Sequence, residues 1–340
     1  MGTKFATILI WSIVTSVHGF SQARSENGPV RKTIRVIMDN DFSGDPDGLF
    51  ALTHLLLSPS VDTRAIIGSH IGVKDFLDPS EKQAENAASK AKEVLKLLNM
   101  TGQVPVLAGS NKAMPNDSTP TKSEAADFII KEALRTDTKQ PLYIVCGAGL
   151  TEVGSALLTN PSIAGKFTLV WIGGPEYPGI ALPPPGASKM EYNLNIDVNA
   201  VMAVFNRSSV QIWQIPRDGY RQAIISYTQL LLNLENKGEI GNFLSQQLIE
   251  LMKKLQRIGE TYILGDSPLV LLTALQTYFE PDPASSSYQY VKAPNVTSQG
   301  QYEENPNGRT IRVYTKLDIP LMFNDFFAKL ETFSRSIKKK

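Results

Sequence analysis

Two features of the sequence predict an α/β fold, with a mostly parallel sheet flanked by helices on both faces. Short apolar runs alternate with longer segments of helical spacing, the pattern that a parallel sheet with crossover helices produces. A dense acidic turn follows the first of those runs, and the carboxyl ends of strands are where open α/β sheets keep their ligands.

The strands are predicted at Ile34–Met38, Thr63–Ile67, Val104–Leu107, Leu142–Cys146, Thr168–Ile172 and Val210–Trp213. Between them, apolar residues recur at helical spacing in Leu49–Leu57, Glu81–Leu98, Ser123–Arg135, Leu150–Leu158 and Val198–Phe205. Further helices are predicted at Ile224–Leu234, Asn242–Leu255 and Leu269–Gln276. The tail reads strand, strand, helix at Tyr288–Val291, Thr310–Tyr314 and Met322–Thr332. Tyr177–Ser188 is a loop by its proline content. No repeat and no long linker divides the chain, so residues 24–335 are expected to form one mature domain.

The N-terminus differs from the rest. Lys4 precedes the apolar run Phe5–Val17, and small or polar residues follow at His18–Ala23. This is a signal-peptide pattern, too short to span a membrane. Residues 1–23 are therefore expected to be removed, and the protein to be secreted or periplasmic. The composition, 42% hydrophobic and 20% charged over 340 residues, is that of a soluble domain with a sizeable core. A net charge of +1 gives no electrostatic case for nucleic acid or an anionic membrane as partner. Cys146 is the single cysteine, which excludes an internal disulfide and suits a buried packing role.

Asp39, Asp41, Asp45 and Asp47 fall within nine positions, between the first strand and the first helix. Four acids in one turn repel one another unless a cation sits among them, and hard cations such as Ca²⁺ or Mg²⁺ take all-oxygen shells. An EF-hand is excluded, because its twelfth position, which needs a bidentate Glu, is Phe50 here. A phosphatase-like Mg²⁺ enzyme would use Asp39 and Asp41 but leaves Asp45 and Asp47 without a role.

The turn resembles the N-terminal signature of the inosine-uridine preferring nucleoside hydrolases, Asp-x-Asp-x-Gly-x-Asp-Asp-Ala, with Asp45-Pro46-Asp47-Gly48 in place of its adjacent aspartates. Five downstream blocks keep the family's order. They are Ala65–His70, Val104–Gly109, Gly147–Glu152, Glu191-Tyr192-Asn193, and Gly265-Asp266-Ser267-Pro268-Leu269. The resemblance implies an open Rossmann-like core and hydrolysis of ribonucleosides, or related N-glycosides, to sugar and base.

It further implies a Ca²⁺ held by Asp41, Asp45, Asp47, Asp266 and the backbone carbonyl of Thr151, with Asp41 also the base that takes the water proton. Asp47 rather than Asp45 is favoured as the bidentate ligand. Asp39, Glu191, Asn193 and His70 are implied as substrate-binding residues, His70 (or Ser69) replacing the family's asparagine. Family members are commonly dimers or tetramers, so a homo-oligomer is compatible with it.

Two departures bear on the reaction. The family's histidine before the last aspartate, which protonates the leaving base, is Gly265 here, and an expected asparagine falls at Pro185. The metal and ribose half of the site is retained while the leaving-group half is changed. A non-catalytic, calcium-dependent sugar or nucleoside-binding protein is the alternative that this change leaves open. Asp197, ahead of the helix Val198–Phe205, is expected only to cap it.

Overall fold

The computed structural model describes residues 30–255, 259–277 and 285–338. Residues from Arg31 onward form one compact unit. The expected signal peptide, residues 1–23, lies outside the described residues. No helix among the described residues is long and apolar enough to cross a membrane.

The chain begins as βα repeats. β1 (Ile34–Asn40), α1 (Asp47–Leu56), β2 (Val61–Gly68), α2 (Gln83–Leu97), β3 (Val106–Ala108), α3 (Glu124–Ala133), β4 (Leu142–Cys146) and α4 (Thr151–Thr159) follow in turn. After β5 (Thr168–Ile172) and a long loop come α5 (Tyr192–Ile196), α6 (Val198–Arg207), β6 (Gln211–Ile215) and α7 (Arg217–Tyr220). A helical insert follows, with β7 (Ile224–Ser226), α8 (Tyr227–Leu234), α9 (Gly238–Leu255), β8 (Thr261–Ile263) and α10 (Pro268–Ala274). The chain closes with β9 (Ser287–Lys292), β10 (Asn295–Val296), β11 (Tyr302–Glu303), β12 (Thr310–Lys316) and α11 (Ile319–Lys338).

Eight strands make the central sheet, in the order β3-β2-β1-β4-β5-β6-β12-β9. Every pairing in it is parallel except the last, in which β9 runs antiparallel to β12. β1 is buried along its whole length, which is why it reads as a nearly unbroken apolar run. Its side chains alternate between two cores. Val36 and Met38 join the cluster containing α1, α9, α10 and α11, while Ile37 joins that of α3, α4 and α6. β1 pairs with β2 on one side and β4 on the other, so the strand order reverses there. That reversal opens a crevice at the carboxyl ends of β1 and β4.

The segment Ile224–Leu234 is not one helix, as its spacing predicts. Ile224–Ser226 pairs antiparallel with Thr261–Ile263, and the Ser226 hydroxyl then caps α8 by accepting from Gln229 N. Adjacent β-branched residues followed by a capping serine favour this break. α9 starts one turn before the expected Asn242, and α11 extends beyond Met322–Thr332 at both ends. The short elements α5 and α7 and the small strand pairs have too few residues for a periodic signal.

Candidate functional site

The end of β1 builds the first wall. Asp39 and Asn40 are fully buried, and Asp41 nearly so, as the chain leaves the sheet. Gly44 N returns to Asp41 O at 2.7 Å, which closes the turn and brings Asp45 and Asp47 back toward Asp41. Asn40 holds this turn to the loop before α10, donating from Nδ2 to Asp266 Oδ2 at 2.8 Å. Asp266 N donates in turn to Asp47 Oδ2 at 3.2 Å. The Tyr262 hydroxyl contacts Asp45. Gly147, at the end of β4, is required by this closeness. A Cβ there would stand 2.5 Å from Asn40 Nδ2 and 2.6 Å from Asp266 Cγ.

The second wall comes from β5 and α5. Glu191 caps α5, its Oε2 accepting from Leu194 N at 3.0 Å and from Gly174 N at 2.8 Å. Gly174 has φ +90, a conformation favouring glycine, and this aims its amide at the carboxylate. Glu191 Oε1 accepts from the Tyr220 hydroxyl at 2.9 Å. Asn193 spends its amide hydrogens on Gly147 O (3.1 Å) and Ile172 O (2.8 Å), so its carbonyl oxygen is what it offers a ligand.

Between these walls lies a cleft of about 300 Å³. Asp41, Asp45, Asp47, Asp266, Glu191 and Asn193 line it, together with an apolar rim that includes Phe76, Tyr192, Tyr220 and Ile263. Among the described residues no basic side chain lines it. Burial raises the pKa of Asp41 and of Asp47, and in each the neighbouring aspartates raise it further. Burial also raises Asp45, partly offset by Tyr262, and pushes Asp266 up to about 7 despite the Asn40 hydrogen bond. Glu191 is raised by burial, against the backbone amides that it accepts.

Buried carboxylates without a positive partner are costly as anions unless they coordinate a cation. The donor set, hard oxygens around one cleft, suits Ca²⁺ or Mg²⁺. Among the described residues no three His, Cys, Asp or Glu side chains form a ready metal cage.

Three of the expected site residues do not line the cleft. The Asp39 carboxylate takes the Ser69 hydroxyl on Oδ1, and among the described residues its buried Oδ2 has no partner. His70 holds Ser110 O through Nδ1 at 3.0 Å. Burial lowers its pKa, so the imidazole is neutral near pH 7. Thr151 begins α4, and its hydroxyl donates to Asp197 Oδ2 at 2.7 Å. Asp197 caps α6 as expected, accepting from Ala200 N at 2.9 Å, and it also holds Met114 N.

Several functional contacts were not legible in the sequence. Asn40 gives no signal between two more conspicuous aspartates, and Tyr262 meets Asp45 across 217 positions. At Gly265, a Cβ would lie 3.1 Å from Asp47 Oδ2 and 3.6 Å from the Tyr220 ring. The position thus faces the cleft with no side chain, beside the Tyr220 ring.

The model of the inosine-uridine preferring nucleoside hydrolase family matches residues 36–324. Similar solved structures include a purine-preferring ribonucleoside hydrolase from Gardnerella vaginalis, 20% identical with a TM-score of 0.67, covering 88% of this chain and 99% of that one. An inosine-uridine preferring nucleoside hydrolase from Bacillus anthracis is 18% identical, with a TM-score of 0.64 and coverage of 88% and 99%. A plant nucleoside hydrolase is 16% identical, with a TM-score of 0.64 and the same coverages, 88% and 99%. No curated protein matches the chain.

Proposed function

The chain belongs to the inosine-uridine preferring nucleoside hydrolase family, and on that premise we propose a calcium-dependent hydrolase of N-glycosidic bonds in ribonucleosides. One observation carries the reading. Asp41 and Asp266, both buried, and the half-buried Asp45 and Asp47 share a cleft with Glu191 and Asn193, groups suited to sugar hydroxyls, and no basic side chain lines it among the described residues.

Asp41, Asp45, Asp47 and Asp266 are the side chains that would hold Ca²⁺. Thr151 would add only its backbone carbonyl, since its hydroxyl is given to Asp197. Calcium bound there supplies a water of lowered pKa and a fixed charge for the sugar diol. Asp41 is the base that takes the proton from the attacking water, since its carboxylate lines the cleft beside Asp45, Asp47 and Asp266.

Glu191 accepts from a ribose hydroxyl while its backbone amides fix the carboxylate, and the Asn193 carbonyl accepts from another. Both residues orient the ring for attack. Asp39 and His70, outside the lining, brace the ends of β1 and β2 rather than touch the sugar. At the leaving group, Gly265 supplies no acid, and burial raises the Tyr220 phenol so that it keeps its proton. Activated leaving groups should therefore depart most readily. Export through the N-terminal residues 1–23 belongs to this reading too.

The experiment is hydrolysis of p-nitrophenyl β-riboside, inosine and uridine, with calcium and with a chelator. Calcium-dependent turnover of the nitrophenyl riboside, exceeding the nucleosides by ~10²-fold or more, is the expected result, since a general acid contributes about that much. The unfilled position at Gly265 favours a second reading, a calcium-dependent sugar or nucleoside-binding protein. Ribose binding with calcium and no turnover of any substrate would select it.

A further inference from the structure

The segment from Ile71 to Asp78, between β2 and α2, is a closed loop fastened at its base by one side chain. Gln83, buried on the first turn of α2, accepts from Ile71 N at 3.0 Å. Its Nε2 donates to Gly72 O at 2.9 Å and to Asp78 O at 2.7 Å, so a single amide clips both ends. Lys74 turns the chain with φ 56.

The tip reaches over the cleft. Asp75 Oδ1 accepts from Leu77 N at 2.8 Å, and its Oδ2 accepts from the Tyr192 hydroxyl at 2.8 Å. Tyr192 stands between Glu191 and Asn193, so the latch joins the loop to the sugar-facing wall. Lys254 Nζ contacts Leu77 O at 3.3 Å on the outer side. Phe76 and Leu77 both line the cleft, yet Phe76 remains 60% exposed. An aromatic ring presented at the mouth of a polar cleft, on a loop pinned at base and tip, has a use when a flat partner covers it.

We propose that Phe76 is a specificity-determining residue that packs on the planar aglycone of the substrate, with the Asp75–Tyr192 hydrogen bond as its positioning latch. The proposal rests on the nucleoside-hydrolase reading above and names which residue of this chain meets the leaving group. The sugar is held by the carboxylates and Asn193, which leaves the exposed ring at the mouth for the aglycone.

The test compares wild type, Phe76→Ala, Phe76→Tyr, Tyr192→Phe, Asp75→Ala and the Tyr192→Phe/Asp75→Ala double variant, each with its melting temperature. KM for inosine and uridine is measured beside inhibition by free ribose, which has no aglycone. Phe76→Ala should raise both KM values roughly tenfold, the worth of one stacked base, and leave ribose inhibition unchanged. Phe76→Tyr should restore them. The two latch variants should raise KM with kcat little changed, and the double variant should be no worse than the worse single. Nucleoside KM within twofold of wild type in Phe76→Ala, or a parallel loss of ribose inhibition, overturns the proposal while leaving the hydrolase reading intact. Wild type that neither binds nor hydrolyses any nucleoside overturns both.

Discussion

Asn40 Nδ2 lies 2.8 Å from Asp266 Oδ2, joining the turn after β1 to the loop before α10 across 226 positions of sequence. Both residues are buried, and the same bond opposes the upward shift that burial imposes on Asp266. Asn40→Ala removes the donor and leaves a buried carboxyl without it, which costs about 1–3 kcal/mol. Denaturant unfolding should show that loss, and kcat/KM should fall at least tenfold because Asp266 is no longer aimed. Wild-type stability in the variant would mean that another contact positions Asp266.

Gly147→Ala tests the same junction from the opposite side. Its Cβ would sit 2.5 Å from Asn40 Nδ2 and 2.6 Å from Asp266 Cγ, closer than such atoms approach. Both neighbours are side-chain ends, but each is buried and held by the Asn40–Asp266 hydrogen bond, so either that bond or the turn must give, at about 1–3 kcal/mol. We expect a lowered melting temperature together with weakened calcium binding measured by titration calorimetry. A variant that melts lower but binds calcium as wild type does would place the strain outside the cleft.

The parts of this architecture visible in the sequence are those with local signatures. Ile34–Met38 and Leu142–Cys146 read as strands because a parallel strand covered on both faces is apolar throughout. The acidic turn was visible because four carboxylates in nine positions are more than capping needs. What escaped depends on contacts between distant segments. The pairing of Ile224–Ser226 with Thr261–Ile263 spans a helical insert, and the β-branched residues at Ile224 and Ile225 do not name a partner that far along the chain. Asp39 matches its motif as well as Asp41 does, yet it still lies within β1, where its carboxylate meets Ser69, while Asp41 lies past the end of the strand and lines the cleft. Phe76 and Asp75 carry no motif, and the contact that places their loop at the cleft, Tyr192 to Asp75, spans 117 positions.

Calcium should stabilise the fold as well as support turnover. Asp41, Asp45, Asp47 and Asp266 come together only in the folded chain, so a cation held by them binds the native state. At a hundred times its dissociation constant such a ligand adds about 2.7 kcal/mol. Thermal unfolding in a chelator, then with increasing Ca²⁺, should give a rising midpoint that Asp47→Asn flattens. Activity should be lost in the chelator and return with Ca²⁺. An unchanged midpoint across the titration would remove these aspartates as a calcium site.

Mild acidification should also weaken the contribution of one group far from the turn. His54 is buried on α1, with Nε2 2.7 Å from Asp325 Oδ2 and Nδ1 without a partner. Lys329, also bonded to Ser58 at 2.9 Å, contacts the same carboxylate. Burial lowers the His54 pKa, Asp325 opposes that, and the Lys329 charge adds to the lowering. The unfolded chain then binds the proton more tightly than the folded one, so stability rises with pH across this interval. The contribution is complete above the ordinary histidine value of about 6.5 and is lost as pH falls through the lowered folded value, each unit of separation being worth about 1.4 kcal/mol. Asp325 is itself held below its ordinary value, and its own loss comes only at lower pH, in the carboxylate range. His54→Gln keeps a donor for Asp325 and does not titrate. Urea unfolding at pH 7.5, 6.5 and 5.5 should therefore show the stability of wild type falling relative to that of His54→Gln toward pH 5.5, and parallel profiles would remove His54 as the source of any pH dependence.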